Sequence, residues 1–126
     1  MITRHLLADA DAVELPGRTF RTYFGPWNSA AEHLSIGLSV YPPGSRPPGH
    51  VHPAEEETIY CVAGRGRIVS PDDTAELTPG VVVHVTPGTF HATESDGPDD
   101  LELLCVFTPP VRAGSYETEG RDDREH

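Results

Sequence analysis

The chain has 126 residues and a formal net charge of −11, too short for two domains of ordinary size yet long enough to bury a core. That acidity argues against nucleic acid and anionic membrane surfaces as partners, and because all nine basic residues are arginine, Schiff-base chemistry and a lysine general base are excluded. Thirteen prolines and twelve glycines among short apolar runs predict many turns and an all-β fold.

Residues 1–8 (MITRHLLA) read as a short edge strand. They carry no apolar stretch of signal-peptide length, and no later run approaches membrane-spanning length, so a cytoplasmic location is expected. Asp9 to Gly17 reads as a polar connection, and Arg18 to Phe24 as a strand that breaks at Gly25-Pro26. Trp27 to Glu32 is expected to be a loop or one helical turn, with Asn28 or Ser29 as its cap. The cleanest alternation lies in HLSIGLSVY, residues 33–41. Leu34, Ile36, Leu38 and Val40 share one face, and Ser35, Gly37, Ser39 and Tyr41 the other. The small polar face either meets solvent, the commoner setting, or lines a cavity.

Pro42-Pro43-Gly44 ends that strand, and Pro47-Pro48-Gly49 stiffens the approach to His50. ETIYCVA, residues 57–63, is the next strand, followed by Arg67 to Ser70 and Thr74 to Leu77 around a Pro71-Asp72-Asp73 turn. Val81 to Val85 is a β-branched run expected to be buried on both faces. His84 interrupts it; a lone strand histidine is more often satisfied by a carbonyl or solvent, so it is expected to stay off any site. Phe90 to Thr93 carries His91, Ser95 to Asp100 is a polar loop, and Leu101 to Phe107 is a final core strand before Pro109-Pro110. Cys61 and Cys105 each sit in an apolar run and are expected as buried thiols, not a disulfide. The reading is a single domain over 1–112 and a charged tail over 113–126. Roughly nine or ten short strands would close as an antiparallel jelly-roll barrel, wide enough for one small ligand.

The candidate site lies in GSRPPGHVHPAEEETIYCVAG, residues 44–64. His50 and His52 are two positions apart, so in extended chain both imidazoles leave the same face. If the next strand pairs back, a turn at Pro53-Ala54 brings Glu57 over the histidines. Glu57 rather than Glu56 keeps phase with Ile59 and Cys61, and Tyr60 falls on the opposite, structural face. Two imidazoles and a carboxylate make a first-row metal site, and His91 is the candidate for a fourth ligand. Arg46, Tyr41, Phe90 and Arg65 are candidate mouth residues.

The spacing Gly44, His50, His52, Glu57, Gly64 resembles the first motif of the cupin superfamily. Gly80, Gly88 and His91 match the second, with Thr86 and Ser95 standing where that motif has proline and asparagine. The resemblance covers residues 44–95 and implies a cupin-type double-stranded β-helix that is usually a homodimer. More narrowly, MITRHL, YCVAGRG and CVFTPP are similar to the ectoine synthases, cupins that cyclise a diamino acid derivative but lack the full His-x-His pair. Four protein ligands on an octahedral ion leave two positions for a small-molecule substrate. One divalent ion per chain is expected, with Fe(II) favoured and Mn, Ni, Co or Zn as alternatives. A non-haem iron dioxygenase ranks first. A non-redox cyclase, isomerase or lyase with the metal as Lewis acid follows, then a binding or sensing module.

Overall fold

The computed structural model describes residues 1–115, and β-structure dominates them. The strands are β1 (Asp11–Leu15), β2 (Arg18–Phe24), β3 (Ser35–Tyr41), β4 (Glu56–Ala63), β5 (Gly66–Val69), β6 (Thr74–Leu77), β7 (Val82–Val85), β8 (Ala92–Ser95) and β9 (Leu101–Thr108). They form a six-stranded sheet in the order β1-β2-β3-β9-β4-β7 and a three-stranded sheet in the order β6-β5-β8. Every described pairing is antiparallel. The two inner faces meet over one core that includes Phe20, Ile59, Ile68, Leu77, Leu101 and Leu103. The expected all-β double sheet is what the chain adopts, because its turns are short and its apolar residues recur at every second position.

The last strand sets the architecture. β9 runs between β3 and β4, pairing Ser39 with Leu103 on one side and Ile59 with Cys105 on the other. Its alternate residues Leu101, Leu103, Cys105 and Phe107 are all buried, so LELLCVF forms the spine of the larger sheet. Both cysteines are buried free thiols, as expected.

Four local readings are corrected. Residues 1–8 make no strand: Leu7–Asp9 is a single 3-10 turn, and the edge strand is β1, in the stretch read as a connection. Alternating Val13 and Leu15 carried too few apolar side chains to stand out beside the acidic residues around them. In β3 the small polar face points inward. Ser35, Ser39 and Tyr41 are buried, whereas on the other face Leu38 is buried but Ile36 and Val40 are only half-buried. Ser35 explains part of this, since its Oγ donates to the Val111 carbonyl (3.0 Å) and accepts from the Val111 N–H (2.9 Å). Gly37 explains more: a Cβ there would collide with the Phe20 ring. Lastly, β7 is a sheet edge, with Val82 and His84 exposed and only Val85 fully buried. β-branched content alone does not reveal whether a strand is central. Of the charged tail, residues 116–126 lie outside the described residues.

Candidate metal centre

His50 is brought into place by backbone pairing with His91, not by a hairpin with β4. The His50 N–H donates to the His91 carbonyl (2.9 Å), and the His91 N–H returns the bond (3.0 Å). Gly88 N–H donates to the His52 carbonyl (2.9 Å), extending the same contact. This corrects the expected turn of β4 onto the histidines. β4 pairs with β7 and β9, and Glu57 arrives from that neighbouring strand opposite Val85 and Phe107. Gly49 permits the close approach, because a side chain there would meet Phe90 and the His91 carbonyl.

The four side chains singled out in the sequence come together. His50, His52, Glu57 and His91 each present one donor atom, and these atoms lie within 4.8 Å of one another. Glu57 Oε1 is 3.1 Å from His91 Nε2 and 3.6 Å from His52 Nε2. His91 Nδ1 donates to the Thr89 carbonyl (3.0 Å). A carbonyl only accepts, so Nδ1 carries the proton, and Nε2 faces the cluster: in the metal-free protein it donates to Glu57 when the ring is protonated, and deprotonated it would offer its lone pair to an ion. Glu56 points the other way and meets His84 Nε2 at 2.7 Å on the exposed face, which accounts for both residues outside the cluster.

Burial tunes the group. It pushes the Glu57 carboxyl up, but hydrogen bonds from His52 and His91 outweigh it and hold the carboxylate well below its usual range. Burial would lower His91, yet the Glu57 hydrogen bond and charge raise it overall. His50 is lowered well below its ordinary 6.5 by burial and then by the neighbouring His91. These directions predict how the metal-free protein responds to acid. His50 binds fewer protons folded than unfolded, so its contribution is complete above about pH 6.5 and is lost as pH falls below that value. Glu57 adds a further loss below its ordinary 4.5. His91, raised, has the opposite slope and tempers the first loss. Chelator-treated protein is therefore expected to melt at a lower temperature at about pH 5 than at about pH 7.5.

Three imidazole nitrogens and one carboxylate oxygen converge, His52, Glu57 and His91 buried and His50 half-buried, and they fit a single divalent first-row ion. Beside the cluster lies a cavity of about 10 Å³, the room of one water, fronted by Arg18, Ser39, Tyr41 and Thr93. A second, open cleft of about 360 Å³ reaches the other side of His91 past Thr86 and Thr89. Of the candidate mouth residues, only Tyr41 reaches the inner cavity. Arg46 is tied to Asp96 (2.9 Å) and the Ser95 carbonyl (2.6 Å), Arg65 to the Gly97 carbonyl (3.4 Å), and Phe90 packs near Gly49. Arg18 escaped notice in the sequence. The signal available was its phase, since it shares the inner face with Phe20 and Thr22.

Comparison with known proteins follows the same core. Residues 37–107 match the family profile of the cupin domain. L-ectoine synthase of Alkalilimnicola ehrlichii is 35% identical over 71 residues, covering 52% of this chain and 53% of that enzyme. Polyketide synthase CurC of Streptomyces cyaneus is 26% identical over 106 residues, covering 82% of this chain and 69% of that protein. The chain spans only 53% to 61% of the length of several curated relatives that it matches. In fold it resembles the polyketide cyclase RemF from Streptomyces resistomycificus, at a TM-score of 0.73 and 24% identity over 100% of this chain and 94% of that one.

Proposed function

This chain belongs to the cupin family, and on that premise we propose that it is a metal-dependent enzyme performing a non-redox cyclisation, isomerisation or elimination on a small oxygen-bearing metabolite. The observation that carries this reading is the convergence of His50, His52, Glu57 and His91 on one point, three of them buried and His50 half-buried. A divalent ion held there would supply Lewis acidity to a carbonyl or hydroxyl oxygen. The chain's own residues do the rest. Glu57 stays anionic under the hydrogen bonds that lower its carboxyl, and Thr89 locks the His91 tautomer. Phe20, Ile59, Leu103 and Phe107 wall the inner cavity with apolar surface and limit the water beside the cluster.

The donor set serves a non-haem iron dioxygenase equally well; on sequence that chemistry ranks first because a redox metal with two free positions would bind a chelating substrate and dioxygen together. The relatives tip the choice: L-ectoine synthase and the polyketide synthase CurC are named for building bonds, not for oxygenation. The test loads metal-free protein separately with Zn(II) and Fe(II) and offers linear β-dicarbonyl and amino-acid-derived compounds with and without air. Under the proposal the zinc form turns substrate over anaerobically, to a product of equal mass or one lighter by water or another eliminated fragment. Turnover confined to Fe(II) in air, with oxygen consumed and carried into product, restores the dioxygenase. Probe binding without turnover by either form supports the binding module.

A further inference from the structure

His50 is delivered to the cluster by a segment that lies outside the named strands. Residues 44–50 run antiparallel along 91–95, and backbone bonds join the two stretches at both ends. At one end the Gly44 N–H donates to the Ser95 carbonyl (3.1 Å) and the Ser95 N–H to the Ser45 carbonyl (3.0 Å); at the other, His50 and His91 exchange their pair. Between these ends stand Pro47 and Pro48, which have no N–H to give. Arg46 adds a bond from its side chain. Its Nη1 donates to the Ser95 carbonyl at 2.6 Å, and its Nη2 to Asp96 Oδ1 at 2.9 Å. Asp96 is shared, because its Oδ2 accepts from Arg67 Nη2 at 3.0 Å. Arg67 also reaches Glu94 Oε1 (3.3 Å) and Glu76 Oε1 (3.6 Å), so two guanidiniums and three carboxylates link the segment to β5, β6 and β8. The Arg46 side chain is partly exposed, and an isolated pair there would contribute little. Here the guanidinium is held at a carbonyl and a carboxylate together, which fixes it in one geometry.

We propose that Arg46 is a positioning residue for the metal centre: by pinning residues 44–50 to the end of β8 through the Ser95 carbonyl and Asp96, it holds the His50 imidazole in the place the cluster requires. Its role in metal binding rests on the reading of that cluster as a metal site, and it acts through His50. Two observations favour it. Pro47 and Pro48 have fixed φ, so a displacement at Arg46 is passed on to His50, four residues along, and is not absorbed between them. At the His50 end there is little room to re-seat, since even a Cβ on Gly49 would collide with Phe90 and the His91 carbonyl. Arg67 supplies a control. It grips the same Asp96, but its ion pairs run to Glu76, Glu94 and Asp96 and bypass the segment that carries His50.

The test compares the full chain as wild type, Arg46→Met, Arg46→Lys and Arg67→Met. Zinc affinity is measured by competition with a chromogenic chelator. On metal-free samples the thermal melt is recorded and hydrogen exchange at the His50 amide is followed by NMR. Arg46→Met is expected to bind zinc at least about fivefold more weakly than wild type, and Arg67→Met to stay within about twofold of it. The His50 amide should exchange faster in Arg46→Met and at the wild-type rate in Arg67→Met. Arg46→Lys should fall between wild type and Arg46→Met, because an ammonium lacks the planar fork that meets carbonyl and carboxylate together. Zinc affinity or His50 exchange unchanged in Arg46→Met overturns the proposal. So does equal weakening in Arg67→Met, which would make the charge network a general support of the fold. If the wild type takes up no zinc, the metal reading has failed by itself, and metal-free exchange decides for Arg46. Faster exchange at His50 in Arg46→Met but not in Arg67→Met then upholds its positioning role, and unchanged exchange overturns it. Should Arg46→Met fail to fold, Arg46→Lys carries the comparison: weaker zinc binding with faster His50 exchange upholds the proposal, and wild-type values overturn it.

Discussion

Purified protein is expected to hold about one divalent first-row ion per chain, and Glu57→Ala to lose most of it while Glu56→Ala keeps it in full. The two carboxylates are adjacent in sequence and opposite in space. Glu57 is buried, with one oxygen 3.1 Å from His91 Nε2, whereas Glu56 sits on the outer face against His84. Removing Glu57 takes away the only negative donor of the cluster and leaves three imidazoles without the charge that offsets a dication. Glu56→Ala removes an exposed pair, worth roughly 0–1 kcal/mol of stability. His50→Ala combined with His91→Ala should abolish uptake and also break the side-chain half of the contact around the His50–His91 bridge. Elemental analysis after dialysis, with thermal melts before and after chelation, reads all four proteins. Because an ion bound only by the folded state stabilises it, chelation should lower the melting temperature of wild type and Glu56→Ala, and leave Glu57→Ala nearly unmoved. Full metal retention in the double histidine variant would refute the assignment.

Gly64→Ala is expected to be among the most destabilising single-methyl changes in the chain, by roughly 3 kcal/mol or more, while Gly80→Ala costs about 1 kcal/mol. Both glycines have a left-handed backbone, with φ of +83° and +98°, so alanine is strained at either. They differ in their surroundings. A Cβ on Gly64 would drive into the Asp100 carbonyl, which is backbone and cannot swing aside, whereas one on Gly80 meets nothing within 4 Å. Gly64 sits at the turn between β4 and β5, where the chain leaves the large sheet for the small one, directly against the start of β9. The clash would therefore push apart the two strands that carry Glu57 and the core spine. Urea titration of both variants checks the difference, and equal destabilisation would show that backbone strain, not the Asp100 contact, fixes this glycine.

Much of the site was legible from spacing because its residues come from short, locally determined pieces. His50 and His52 are two apart in extended chain, and Glu57 keeps phase with Ile59 and Cys61, so the side each takes follows from a period of two. The same rule separated Glu57 from Glu56 and kept Tyr60 outward, where it is 43% exposed. His84 was set apart on another ground, that a lone strand histidine is usually satisfied elsewhere, and it meets Glu56 on the exposed face. Turn chemistry was equally local, with glycine or proline at the breaks after Phe24, Tyr41, Ala63 and Leu77.

Period alone could not say which face of a strand is the inside, or which strand is a neighbour. In β3 the apolar face looked like the core, yet Ser35, Ser39 and Tyr41 turned inward, because the barrel encloses a polar site and Phe20 needs the space over Gly37. Val81 to Val85 looked central and became an edge, and Glu57 met the histidines from across a sheet, not around a hairpin. The sequence by itself determined β2 to β9, most turns and the four convergent side chains, since those depend on residues a few positions apart; β1 was missed. Only the tertiary structure decided that β9 separates β3 from β4, that His50 pairs with His91, and that Arg18 lines the same cavity as His50, Glu57 and His91. Each of these joins residues more than thirty positions apart, and such contacts form only when burial of the whole inner face offsets the entropy of closing the loops between them.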